Sequence, residues 1–321
     1  MTLPMNINYD ITYNILELIA SISEKIGATN ALHLNKQSPQ LKKQNKIKVI
    51  QTYFTSGNDR LTEKQIATII DRQPIDLPER KIKEVLNTLS VYDSLKNFDL
   101  FSEQSFLSAH RQLMDHLVDD AGRYRNKNTL FIQDEKLKYK ILPASKVQFL
   151  MSDLFSYLQK NDELLLIKSC VFYYKIISIL PFSDGNDRVG RFWQSLILKQ
   201  KYPIFEFLTF ENSINGYSED FHIAFDKSIK SNNLTSAIEF MLGIIDYSLG
   251  NLLNFKSRTL TELDRIFYFL ELGNSDFDRK EYMNVFKDIS SATASRDLKK
   301  ALLLGCIRKS GEKNQTRYSI K

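Results

Sequence analysis

The densest chemistry in this sequence lies in one segment, Leu180-Pro-Phe-Ser-Asp-Gly-Asn-Asp-Arg-Val-Gly-Arg191. A turn of glycine and asparagine feeds what reads as a helix N-terminus, and Arg188 and Arg191 follow three residues apart. Free backbone N–H groups at a helix start, the positive end of its dipole and a guanidinium group would converge there, and that is the chemistry of phosphate binding. A capping turn with two surface arginines uses the same residues, and the segment alone leaves both readings open.

The elements that must position this turn are helical. Ile11, Ile15, Leu18, Ile19, Ile22 and Ile26 recur at three- and four-residue steps, which predicts an amphipathic helix stopping at Gly27. Further helices are expected over Leu41 to about Phe54, from Thr62, over Glu79 to Tyr92 and over Phe106 to Leu117. Others are expected over Val147 to Gln159, Glu163 to Ile179, Asp187 to Lys199, Ser218 to Ser231 and Thr235 to about Phe255. Short alternations across Thr129 to Leu142 predict a small β-hairpin. The last seventy or so residues predict helices near Leu260 to Leu270, Arg279 to Phe286 and Thr293 to Leu304, then two short strands around SGEKNQ; this is the order of a winged helix-turn-helix.

Composition bounds the rest. With 321 residues, 43% hydrophobic and 26% charged, the chain reads as an ordinary soluble globular protein, and disorder, collagen and a disulfide scaffold are excluded. Cys170 and Cys306 form no ligand spacing, which fits a reducing, cytoplasmic setting. The first 27 residues lack a basic leader and carry Asp10, Glu17 and Glu24, a poor signal peptide. Lys168 and Lys175 interrupt the most apolar stretch, Leu164 to Phe182, so a buried core helix is expected there and no membrane partner. The net charge of +6 is local: Arg279 to Lys321 holds 11 basic and 4 acidic residues, which leaves residues 1–278 at −1.

The 180–191 segment resembles the Fic family motif H-P-F-x-[DE]-G-N-G-R-x-x-R, matching at Pro181, Phe182, Asp184, Gly185, Asn186, Arg188 and Arg191. AHRQLMDHLVDDAGRYR, ending at Arg125, resembles the helix and turn before that family's target-binding flap, and Ile141 to Leu158 resembles the connection and helix after it. NKIKVIQTYFTSGNDRLTEKQIATII is similar to the N-terminal part of members that carry an inhibitory helix, so the likeness runs from about Asn45 to Leu242. It implies a mainly α fold: an N-terminal helical region (1–95) packed on a Fic helical core (96–250) with a small β-hairpin flap, followed by the winged helix (255–321).

Fic proteins transfer AMP from ATP to a hydroxyl of a target protein. The resemblance implies that Asp184 would be the Mg²⁺ ligand, that Gly185 and Asn186 would shape the anion hole, and that Arg188 would neutralise the leaving phosphates. Arg191 would bind the γ-phosphate or pair with an inhibitory glutamate. Phe182 would anchor the core, Phe221 and His222 would line the adenine, and Thr129, Leu130, Phe131 and Ile132 would form the flap strand that holds an unidentified target by main-chain hydrogen bonds.

Three positions depart from the pattern. Leu180 replaces the histidine that serves as general base, a role that typically contributes about 10²–10⁴-fold, and no substitute base is visible, His33, His110 and His116 lying in other segments. Asp187 replaces a glycine, at a turn position where positive φ is expected, and its charge either weakens nucleotide binding or joins Asp184 as a metal ligand. Ser56 stands where the inhibitory helix has its glutamate, so that helix offers Arg191 no salt bridge.

Two functions remain. One is an adenylyltransferase-like enzyme using an unconventional base. The other, favoured by Leu180, is a Fic-fold pseudoenzyme that regulates through its winged helix. In that module Ser291 or Thr293 would cap a helix whose Leu298, Leu302 and Leu303 face inward, and Arg296, Lys299, Lys300, Arg308, Lys309 and Arg317 would meet the phosphates of duplex DNA. A homodimer or partner contact through the same basic face is the alternative.

Overall fold

The computed structural model describes residues 7–31, 46–51, 53–54, 60–128, 142–160, 163–206, 208, 218–253, 262–271, 276–286, 289–311 and 316–320. Along the chain the helices are α1 (Tyr13–Ala31), α2 (46–51), α3 (Glu63–Ile70), α4 (Glu79–Asp93), α5 (Glu103–Leu113), α6 (Val147–Gln159), α7 (Leu165–Ile179), α8 (Asn186–Lys201), α9 (Ser218–Ser231) and α10 (Thr235–Leu253). Then come α11 (Glu262–Glu271), β1 (Asp276–Phe277), α12 (Arg279–Val285), α13 (Ser291–Leu303), β2 (Ile307–Ser310) and β3 (Arg317–Ile320). Contacts divide the chain into two compact units, Met1–Ile26 with Lys46–Leu249 and Gly27–Asn45 with Gly250–Lys321.

The mainly α expectation holds, and local chemistry explains the helix starts. Thr62 and Gln65 form a reciprocal capping box before α3, and the Ser102 hydroxyl accepts the Ser105 N–H, so α5 begins three residues earlier than expected. Gly27 does not end α1. The helix continues to Ala31, because a glycine in helical conformation costs only about 1 kcal/mol relative to alanine. The hairpin expected from Thr129 falls on residues 129–141, outside the described residues, as does the 41–45 start of the second expected helix.

α7 and α8 form the centre of the first unit. α7 is buried on nearly every face, as a helix apolar all round must be, and no described helix is long and apolar enough to cross a membrane. The Phe106 ring of α5 lies 5.2–5.8 Å from the rings of Phe155, Phe172, Phe182 and Trp193, so α6, α7, α8 and the 180–185 turn share one aromatic core. Phe182 is fully buried there and fixes the turn from below.

In the second unit the three strands form an antiparallel sheet in the order β1-β3-β2, with Tyr318 opposite both Phe277 and Lys309. Ile266, Phe269, Phe277, Tyr282, Leu298 and Ile307 build its core. Inside it Arg265 of α11 makes a two-pronged contact with Asp297 of α13, at 2.6 and 2.9 Å, and the Tyr282 hydroxyl of α12 donates to the same carboxylate at 3.0 Å. One buried charge pair thus ties three helices together.

Three details of this unit differ from the sequence reading. Ser290, rather than Ser291 or Thr293, caps α13 by accepting the Thr293 N–H. Leu303 is 76% exposed, because the inward face runs through Ala294, Leu298 and Ala301 and residue 303 falls about 200° around the helix from 301. β1 was not foreseen, since two residues give no alternation to read. Gly305, with φ of 72°, does end α13 as expected.

Candidate functional site

The turn between α7 and α8 is held by side chains from four directions. Leu180, the C-cap of α7, has φ 50° and ψ 67°, a left-handed conformation that costs a residue with a Cβ roughly 1–2 kcal/mol. Buried Arg125 compensates. Its Nε donates to Leu180 O (2.7 Å), its Nη2 to Leu142 O (2.7 Å) and Ile179 O (3.3 Å), its Nη1 to Lys127 O (3.2 Å), and its backbone N–H to Pro181 O (2.9 Å). One guanidinium therefore caps the last carbonyls of α7, which no helical N–H reaches, and grips both flanks of residues 129–141. Thr129, Leu130, Phe131 and Ile132 themselves lie outside the described residues.

Within the turn, the Asn186 side chain accepts the Phe182 N–H (2.8 Å) and donates to Phe182 O (2.9 Å), closing the loop on itself. Gly185 has φ 78°, and a Cβ there would sit 2.6 Å from Met114 Sδ, so conformation and space both demand glycine. Asp184 Oδ1 accepts the Gly185 N–H at 2.6 Å. His110 of α5, remote in sequence, packs directly against this turn. Its Nδ1 accepts the Gly122 N–H (2.9 Å), so its proton sits on Nε2, which donates to Asp184 O (2.9 Å). Burial pushes its pKa down from 6.5 to about 4. With both nitrogens committed, His110 offers no lone pair to an attacking hydroxyl.

Asp187 lies in the first turn of α8 and not in a positive-φ turn, so its replacement of glycine carries no backbone strain. Its Oδ1 accepts from the Tyr173 hydroxyl (2.7 Å) and from Arg191 Nε (2.9 Å). Burial works against the Arg191 charge, but the Asp187 carboxylate and the Tyr173 oxygen outweigh it and hold the pKa above the ordinary arginine value. The Tyr173 pKa is raised by burial and by Asp187. Arg191 is thus restrained by a carboxylate four residues earlier on its own helix, a partner the sequence reading did not name; position 56, where that reading expected no salt bridge to Arg191, lies outside the described residues. Arg188 is also paired, with Nη2 3.5 Å from Glu84 Oε1 of α4, and its guanidinium lies 5.9 Å from the Phe54 ring.

Phe221 is buried in an aromatic cluster, 4.1 Å from Phe225 and 6.2 Å from Tyr173, and His222 beside it is half-buried. The phenol of Tyr173 links that cluster to Asp187. In the second unit Arg296, Lys299, Lys300, Arg308 and Lys309 are exposed. Arg317 is exposed as well, but it differs from them in pairing with Asp276 at 2.7 Å and Glu281 at 3.9 Å. His110, Arg125, Tyr173 and Glu84 were not singled out from sequence, because each acts on the turn from a helix or segment 14 to 104 positions away from the residue it holds, except the flanks of 129–141.

The turn, all of α7, α8 up to residue 198 and the Arg125 clamp fall within a single segment. Residues 100–198 match the Fic/DOC family. The matched segment is 99 residues long, less than half of the chain. A crystal structure of a Fic family protein from Desulfovibrio desulfuricans G20 is 29% identical with a TM-score of 0.75, covering 99% of this chain and 98% of that one. Fic-1 (aa134 - 508) from C. elegans is 17% identical with a TM-score of 0.57, covering 74% of this chain and 71% of that chain. A Fic domain containing signaling protein from Bacteroides thetaiotaomicron is 13% identical with a TM-score of 0.56, covering 75% and 97%. These last two share the fold. No curated protein matches the sequence.

ATP and Mg²⁺, which the Fic fold implies, can be tested against the residues present. Mg²⁺ is usually held by one or two carboxylates together with substrate phosphates. The carboxylate of Asp184 has Arg80 Nη2 4.0 Å from its Oδ2 and accepts the Gly185 N–H on its Oδ1, and Arg188 and Arg191 are both engaged by carboxylates. In this arrangement the site does not fit a Mg²⁺-bound triphosphate.

Proposed function

We propose that this protein is a Fic-fold regulator without normal AMP-transfer activity, reading out through a C-terminal winged helix that contacts duplex DNA. The Asp187–Arg191 ion pair carries the first half of the reading. At the end of α8 nearest the turn, the guanidinium that would take the γ-phosphate is buried, bonded at 2.9 Å to a carboxylate and backed by the Tyr173 hydroxyl. Leu180 offers no proton acceptor at the base position, and His110 is locked in its neutral form. Of the two roles open to Asp187, these bonds favour weakened nucleotide binding over a second metal ligand.

The order helix, strand, helix, helix, two-stranded wing supports the winged helix, and the exposed cations of α13 and β2 support its contact with a phosphate backbone. Leu303 and Leu304, 76% and 48% exposed at the end of α13, favour a second reading for this face, a protein or homodimer contact. The AMP-transfer half is tested by incubating the full chain with Mg²⁺ and ATP labelled at the α-phosphate. No label on the protein itself or on lysate proteins is expected. Labelling at the rate of an active Fic enzyme run alongside overturns the proposal.

A further inference from the structure

The second unit buries a full ion pair in its core. The side chains of Arg265 and Asp297 are 7% and 1% exposed, and Tyr282, which donates to the same carboxylate, is buried as deeply. Taking two charges out of water opposes their attraction, so such a pair adds little net stability over apolar side chains of comparable size. What it adds is direction. A guanidinium joined to a carboxylate by two hydrogen bonds has one favourable orientation, whereas apolar contact is non-directional.

Direction matters on α13 because its inner face has little shape of its own. The buried apolar stripe is Ala294, Leu298 and Ala301, and the two alanines end at Cβ. Asp297 stands at the edge of that stripe, with exposed Lys300 about 60° and exposed Arg296 about 100° farther round the helix. A rotation of α13 by one residue, about 100°, would therefore put Arg296 in the place of Asp297 and scatter the cations. Two other helices oppose it. Arg265 reaches Asp297 from α11 and the Tyr282 hydroxyl reaches it from α12, while Arg279 Nη1, at the start of α12, donates to Ser295 Oγ at 3.2 Å on the solvent side.

We infer that Asp297, gripped by Arg265 and Tyr282, is the positioning residue that sets the rotation of α13 and so gathers Arg296, Lys299 and Lys300 into one phosphate-facing surface. Asp297 is buried and touches no nucleic acid; it acts through those three cations. The device lies outside residues 100–198 and is independent of the turn.

The inference rests on the DNA reading above, and its test keeps the two apart. In the full chain, Arg265→Met, Tyr282→Phe and Asp297→Leu together replace the polar cluster by apolar groups of comparable size. The urea midpoint is expected to hold or rise. Affinity for a short duplex at low salt is expected to fall about tenfold, and the slope of log K against log salt to become shallower by about 1. The methyl NMR signals of Leu298 and Leu302, single in the wild type, are expected to split or broaden as α13 takes several rotations. Where the triple variant does not fold, Arg265→Lys, which keeps the charge and loses the two-pronged grip, is expected to bind the duplex about threefold more weakly. A folded triple variant with wild-type affinity and slope, or with leucine signals as sharp as those of the wild type, overturns the inference, as does unchanged binding by Arg265→Lys. A wild type that binds no duplex at low salt overturns the DNA reading instead, and the leucine signals then decide the inference.

Discussion

The imidazole of His110 lies flat on the Phe182 ring, centroids 3.5 Å apart and planes within 3° of parallel. The stack joins α5 to the turn and places a buried, neutral histidine under Asp184. Its folded pKa of about 4 lies below the 6.5 of the unfolded chain, so between those values the unfolded state binds the extra proton. Stability is then fully present above pH 6.5 and lost as pH falls toward 4, by about 3 kcal/mol for a shift of this size. Urea midpoints at pH 7 and pH 4.5 measure it. In His110→Gln, weaker overall, this part of the pH dependence is expected to vanish; an unchanged slope would contradict the assignment.

Arg125 spends its guanidinium on the carbonyls of Lys127, Leu142, Ile179 and Leu180. Lysine keeps the charge but cannot present planar donors to several acceptors at once. Arg125→Lys is expected to cost at least about 3 kcal/mol, since hydrogen bonds to charged groups are worth about 1.5–3 kcal/mol each. Urea unfolding with an unchanged m-value checks it.

Leu180 occupies a left-handed position, where histidine is tolerated better than leucine. Leu180→His is therefore expected to fold at least as stably as the wild type. Combined with Asp187→Gly, which frees Arg191, it is expected to gain self-labelling from ATP about 10²-fold above the wild type. Filter-bound label measures each step.

The exposed and the paired cations of the second unit predict different salt behaviour. Arg296→Ala and Lys299→Ala are each expected to lower the slope of log K against log salt for duplex DNA by about 1. Arg317→Ala, already answered by Asp276, is expected to leave the slope unchanged. Fluorescence anisotropy across a salt series separates these outcomes.

Much of this was legible in the residues. The apolar all-round pattern of 164–182 announced a buried helix, and the spacing of Asp184, Gly185, Asn186, Arg188 and Arg191 announced the turn, because both are local in sequence. Helix boundaries moved where a cap decided them, as at Ser102 and Ser290. What sequence could not yield was the state of the charges. That Arg191 meets Asp187 requires knowing that residue 187 is helical, so that positions four apart share a face. That Arg188 meets Glu84, and that His110 lies beneath Asp184, requires tertiary packing between helices.

The central claim is that carboxylates of the chain itself occupy the phosphate-side arginines. Calorimetric titration of Mg²⁺-ATP into the wild type and into Asp187→Gly tests it most directly. The account predicts a wild-type Kd weaker than about 1 mM and at least about tenfold tighter binding in the variant. Micromolar binding by the wild type, no tighter in Asp187→Gly, would contradict it.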